Sequence, residues 1–185
     1  MPCRTVLRAV LCHRFGSSGT LGAMVDPGEF HIPHSEKIEW MIETTGWAIE
    51  PVPPSTDTDP PVAGYAYTIG FPAAFGFPEV LLFGLTPVAA RGLMGLVADL
   101  LAGGTEVPLG VPVIGVLDGE QRCVFAPIDT EEWGALFATA VAWYRGAPFA
   151  AVQLLWPDRN GMLPYETGYD QRLRMVQPVI GALAE

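Results

Sequence analysis

The sequence predicts an α+β fold: a single layered domain with a mixed or antiparallel sheet and helices packed mainly on one face. Three observations lead there. Strand-like and helix-like stretches alternate irregularly along the 185 residues, one hairpin signal is clear, and no internal repeat is visible. That length suits one domain with a sizeable core better than two. Apolar residues make up 50% of the chain and charged residues only 16%, which excludes a disordered or fibrous protein.

The elements run in order. Ser35 is placed to cap a helix over 36–45, with Glu36 and Glu39 in its first turn, Ile38, Met41 and Ile42 as its inner stripe and Gly46 as its stop. A strand comes next over 47–52. The proline-rich stretch 51–63 is a long connecting loop. GYAYTIGF (64–71) alternates, with Tyr65, Tyr67, Ile69 and Phe71 on one face and Ala66, Thr68 and Gly70 on the other. FPAAFGFP then reads as a turn-rich connection, and EVLLFGL (79–85) as a strand in the middle of a sheet.

Thr86-Pro87 starts a helix with a cap and a proline at its first position, and Gly103-Gly104 stops it. It is apolar nearly all round and should be heavily buried. Stretches 111–117 and 121–126 flank Asp118-Gly119, a two-residue hairpin turn signal. Thr130 is expected to cap a second long helix, with Trp133, Leu136, Phe137, Ala140, Val141 and Tyr144 facing inward. A strand over 150–156 leads into the WPDRNG turn. Met162 to Tyr165 reads as a short extended return, and 170–183 starts as a helix that Pro178 interrupts.

Charge bounds the partners. Ten basic residues stand against twenty acidic ones, a net −10, which argues against a nucleic-acid backbone as the main partner. The apolar runs 80–90 and 107–117 fall well short of the roughly 18 residues a spanning helix needs, so no membrane partner is expected. The stretch 1–25 carries Arg4, Arg8 and Arg14 and no acid. A secretory signal fits it poorly, because Arg8 and His13 break the apolar run; a transit peptide fits better; the plainest reading is an extension before a folded domain over 26–185. Cys3, Cys12 and Cys123 make neither a disulfide framework nor a zinc pattern, so a reduced, cytoplasmic setting is expected.

The motifs of common enzymes are absent. The sequence holds no G-x-G-x-x-G opening a helix, no phosphate loop ending in Lys-Ser or Lys-Thr, and no G-x-S-x-G. His31 and His34, with Asp26 and Glu29 upstream, are the one cluster with metal-ligand residue types; Pro33 spoils the helical spacing, and two exposed loop histidines are the simpler reading. The aromatic content suits a flavin or haem pocket no better than a core. No catalytic residue, metal or cofactor is therefore assigned.

Binding residues are drawn from two sources. Thr68 and Gln153 are polar residues in apolar strands, and Glu79 opens the central one; each needs a partner if buried. The cluster Trp156, Asp158, Arg159, Tyr165 and Glu166 surrounds Asn160-Gly161, which supplies positive φ and a sharp turn. That turn is expected to bring Trp156 and Tyr165 together. With Tyr67, these residues are the candidate lining of a pocket.

Tyr67-Thr68-Ile69-Gly70, Pro78-Glu79, Gln153, Trp156-Pro157-Asp158, Gly161 and Gln177-Pro178, in that order, resemble the bacterial domain-of-unknown-function 4262 family over about residues 36–180. The resemblance implies bacterial kinship and supplies no reaction and no catalytic residue. Two functions remain open. One is a non-catalytic module binding a small molecule or a basic protein, the latter drawn by the acidic body. The other is an enzyme using Glu79, Asp158 and Glu166 as acid–base groups, assisted by Tyr67, Arg159 or Arg172. Convergence of these side chains on one pocket separates them.

Overall fold

The computed structural model describes residues 33–57 and 61–183. The basic stretch 1–25, the domain start at 26 and His31 lie outside them. Six strands form one mixed sheet: β1 (Ala48–Val52), β2 (Tyr65–Ile69), β3 (Glu79–Phe83), β4 (Pro112–Ile114), β5 (Arg122–Ile128) and β6 (Ala151–Leu155), in the order β1-β2-β3-β6-β5-β4. Every neighbouring pair is antiparallel except β3 and β6, which run parallel with Glu79 opposite Ala151. The central strands β3 and β6 are buried along their whole length, as their apolar runs require.

Helices cover both faces of this sheet. On one face α3 (Pro87–Ala102) packs Leu93, Met94 and Val97 against Ala66, Val80, Leu82, Val152 and Phe125. On the other, α1 (His34–Thr45) and α5 (Ala138–Trp143) bring Ile38, Met41 and Ala140 onto Ala48, Tyr67, Leu81 and Phe83. The α+β class and mixed sheet match the sequence reading; the expected gathering of helices mainly on one face does not. Alternation explains the difference. Strands buried on both sides need two covers, and Tyr67, Ile69, Leu81 and Phe83 form a second apolar face opposite the first.

Local expectations hold where a backbone signal is strong. Thr86 caps α3 by accepting from the Ala89 N–H at 3.3 Å, with Pro87 at the first helical position. Gly46 ends α1 at φ 84°. Elsewhere tertiary packing overrides them. Ser35 lies inside α1, which begins one residue earlier behind Pro33. FPAAFGFP contains a short helix, α2 (Phe71–Phe75), entered through Gly70 at φ 107°. That reversal sends Phe71 to the α3 face, opposite Tyr67 and Ile69.

The second long helix is broken into α4 (Thr130–Trp133), a 3₁₀ turn over Gly134–Phe137, and α5, and Asp129 rather than Thr130 caps it. The tighter turn rotates the segment after it, so Phe137 and Ala140 face the sheet while Val141 is left exposed. The hairpin forms between β4 and β5, with Ile114 opposite Arg122, but not on a two-residue turn. Its register is one residue off the one Asp118-Gly119 would impose, and in it Val113 and Cys123 pack into the α3-side core while Val124 joins a separate cluster with Leu155 and Leu163. Met162 to Tyr165 makes turns and no strand, and the last helix, α6 (Gln171–Arg174), ends well before Pro178.

Beyond α6 the chain crosses back over the sheet. Ile180 and Gly181 lie against β6 and β5, the Ala182 N–H donates to the Pro127 carbonyl at 2.7 Å, and Leu183 packs with Val124, Ala126, Leu155 and Leu163. Gly181 is obligatory here: a Cβ would stand 2.6 Å from the Ala126 carbonyl oxygen.

Candidate functional site

The candidate residues fall into two groups at opposite ends of the sheet. At the amino end of β3, Glu79 is fully buried. The Thr68 hydroxyl donates to its Oε2 at 2.5 Å and the Gly70 N–H to its Oε1 at 2.7 Å, and the Tyr144 hydroxyl also donates to Oε1. Thr68 in turn accepts from the Val80 N–H at 2.8 Å, which ties β2 to β3. Burial pushes the Glu79 carboxyl above its usual range, against the hydrogen bonds from Thr68, Tyr144, Gly70 and Phe71 that favour its charge. Tyr67 lies nearby with its hydroxyl accepting from the Thr139 N–H at 3.1 Å.

At the carboxyl end of β6, Asp158 gathers the WPDRNG turn. Its Oδ1 accepts from the N–H groups of Asn160 and Met162 and its Oδ2 from that of Asp170, at 2.8–3.0 Å. Partial desolvation raises its proton affinity, but those three backbone donors outweigh it and hold the carboxyl below its ordinary value. Arg122 on β5 reaches Glu166 with both guanidinium nitrogens, at 2.8 and 2.9 Å, and also donates to the Gly161 carbonyl. That fork, with the Leu163 N–H, holds the Glu166 carboxyl below the usual glutamate range.

Gln153 and Gln177 fasten the C-terminal segment. Gln153 donates to the Pro178 carbonyl at 2.5 Å and accepts from the N–H groups of Ile180 and Gly181. Gln177 accepts from the Trp156 N–H and donates to the Trp156 carbonyl and the Tyr169 hydroxyl. The sequence reading gave Gln177 no such role, although a glutamine just before a proline in an apolar tail is a detectable signal. Trp156 and Tyr165 do not meet as expected. The Trp156 indole N–H donates to the Phe83 carbonyl at 2.9 Å, while Tyr165 is 40% exposed beside Glu166. A half-buried indole must satisfy its donor, and the end of β3 offers a carbonyl within reach. Arg159 is exposed to solvent.

An open cleft lies elsewhere. A cleft of about 630 Å³ runs between α1 and α5, with Ile38, Ala138, Ala142 and Trp143 along its walls and His34, Glu39, Thr139 and Arg145 around them. His34 anchors one end through Glu50 on β1, Nε2 to Oε2 at 2.8 Å. Instead of a loop histidine, it is the first residue of α1. None of the residues singled out for binding from sequence lines this cleft; Tyr67 supports it from below through Thr139. It escaped sequence reading because two helices more than ninety residues apart build it.

Fold and site together define a two-faced mixed-sheet α+β domain whose polar core residues fasten its own loops and whose open cleft lies between two helices. The chain belongs to the family described as Domain of unknown function (DUF4262), matched over residues 41–170. No curated protein and no solved structure matches it.

Proposed function

We propose that the chain is a non-catalytic bacterial binding module, working in the cytoplasm, that takes a small molecule in the α1–α5 cleft. The carrying observation is a division of labour among polar groups. Glu79, Gln153, Asp158 and Gln177 are each consumed by hydrogen bonds inside the fold, whereas polar side chains around the cleft stand open to solvent. Small-ligand sites are concave, mostly apolar and about 300–1,000 Å³ in volume, with a few polar groups to orient the guest. The cleft fits that description, and its size favours a small molecule over a basic protein.

The acid–base alternative has less behind it. Glu79 sits at the opposite end of the sheet from Asp158 and Glu166, and both of the latter hold their charge more firmly than usual, so neither is poised to carry a proton at neutral pH. Native mass spectrometry of protein purified from its own host tests the proposal. A bound small molecule that disappears in Ala142→Trp, where the indole fills the cleft, is the expected result. Protein free of ligand, with no stabilisation by any compound in a metabolite screen, refutes it.

A further inference from the structure

The end of α5 is built in a way that its own stability does not favour. The Gly146 N–H bonds to the Val141 carbonyl at 2.9 Å and the Arg145 N–H to the Ala142 carbonyl at 3.1 Å, the paired closure of a Schellman motif. That closure needs a left-handed residue, a position glycine fills without strain. Here it is Arg145, at φ 53°, the only non-glycine residue with positive φ among those described. An arginine has no local propensity for this conformation; the residues that tolerate it, asparagine and aspartate, bond their own backbone.

What Arg145 gains in exchange is position. It lines the α1–α5 cleft together with Ile38, Ala142 and Trp143. It forms no ion pair and no side-chain hydrogen bond among the described residues, in contrast with Arg122, which Glu166 and Gly161 engage. The other cationic candidate in the cleft, His34, is engaged by Glu50. A strained backbone presenting an unpartnered guanidinium beside an apolar wall is an arrangement associated with ligand recognition.

We infer that Arg145 is the anion-recognising residue of the cleft, and that the ligand is a monocarboxylate whose apolar body packs between Ile38, Ala142 and Trp143. This rests on the cleft being the binding site. A planar guanidinium matches a carboxylate with two parallel hydrogen bonds. The Glu39 carboxylate in the same cleft disfavours a more highly charged anion such as a phosphate dianion. The acidity of the whole molecule does not oppose a single carboxylate at short range, because charges beyond about 8 Å are screened at physiological salt.

Three probes with one body separate the possibilities: 3-phenylpropionate, 3-phenylpropionamide and 3-phenylpropylamine, titrated by ligand-observed NMR against the full chain, Arg145→Gly, Arg145→Lys and Ala142→Trp. The expected result is that the carboxylate binds about tenfold more tightly than the amide. Arg145→Gly abolishes that preference while raising Tm by about 1–3 °C, since glycine relieves the left-handed strain. Arg145→Lys, which keeps the charge and the strain but loses the fork, retains part of the preference at unchanged Tm.

Equal binding of all three probes, or preference for the amine, overturns the carboxylate inference. So does an unaltered preference in Arg145→Gly, or a fall in its Tm, which would make the arginine structural. In those cases the cleft reading survives provided Ala142→Trp still blocks binding. Failure of every probe at millimolar concentration, or binding untouched by Ala142→Trp, overturns both.

Discussion

Glu79 and Asp158 are nearly equally inaccessible, at 0% and 4% exposure, yet their proton affinities move in opposite directions. Both are desolvated and both accept backbone and neighbouring donors. The difference lies in depth. Glu79 is sealed under Tyr144 and the start of α2, where desolvation outweighs even a full set of donors. Asp158 sits in a turn near water, where three N–H groups prevail. The lesson is that a carboxylate in an apolar setting serves as a fastener at either end of the sheet, with opposite consequences for pH.

The strongest test breaks the deeper fastener. Glu79→Ala leaves the Thr68 and Tyr144 hydroxyls without their acceptor and the Gly70 N–H with only its longer bond to the Tyr144 oxygen at 3.1 Å, and unsatisfied buried donors cost about 1–3 kcal/mol each. A loss of about 3 kcal/mol in urea unfolding is expected at neutral pH. Glu79→Gln sharpens the comparison. Because the folded pKa of Glu79 is raised, its contribution is fully present below about pH 4.5 and is lost as pH rises through the folded value. Wild type should therefore lose stability relative to Glu79→Gln on going from acid to neutral pH.

Next comes Gln153→Ala, which frees the Pro178 carbonyl and the N–H groups of Ile180 and Gly181. A cost of about 2 kcal/mol is expected, with faster amide exchange confined to residues 177–183. Asp158→Asn should cost less and carry the reverse pH signature. The Asp158 carboxyl is held below its ordinary 3.8, so its stabilisation is present above that pH and vanishes as pH falls through the folded value. Unfolding curves of wild type and Asp158→Asn should converge in acid, where those for Glu79→Gln diverge.

The smallest effect belongs to Arg122→Ala. Its pair with Glu166 is partly exposed, at 38% and 24% for the two side chains, and such pairs contribute about 0.2–1 kcal/mol. A loss of about 0.5 kcal/mol that shrinks further in high salt is expected. A loss as large as that of Gln153→Ala would mean that the turn at the carboxyl end depends on this fork as heavily as the C-terminal segment depends on Gln153.

The alternation of GYAYTIGF, the unbroken apolar run of EVLLF and the Thr86-Pro87 helix start were readable because each depends on neighbours two to four residues apart. So was the need of Thr68, Glu79 and Gln153 for hydrogen-bond partners, which comes from polarity in an apolar context. Who those partners are was not readable. Tyr144 is 65 residues from Glu79, and Ile180 is 27 from Gln153.

Local chemistry by itself determined the class of fold, its principal strands, the buried central strand that Glu79 opens and the stops at Gly46 and Gly103. Tertiary structure alone decided that helices cover both faces, that the hairpin shifts by one residue, that the Trp156 and Tyr165 rings part, and that an open cleft forms between α1 and α5. The reason is range. Backbone preferences and side-chain periodicity are written over a few residues, whereas which face is covered, and what is left uncovered, is settled by the competition of distant apolar surfaces for the same sheet.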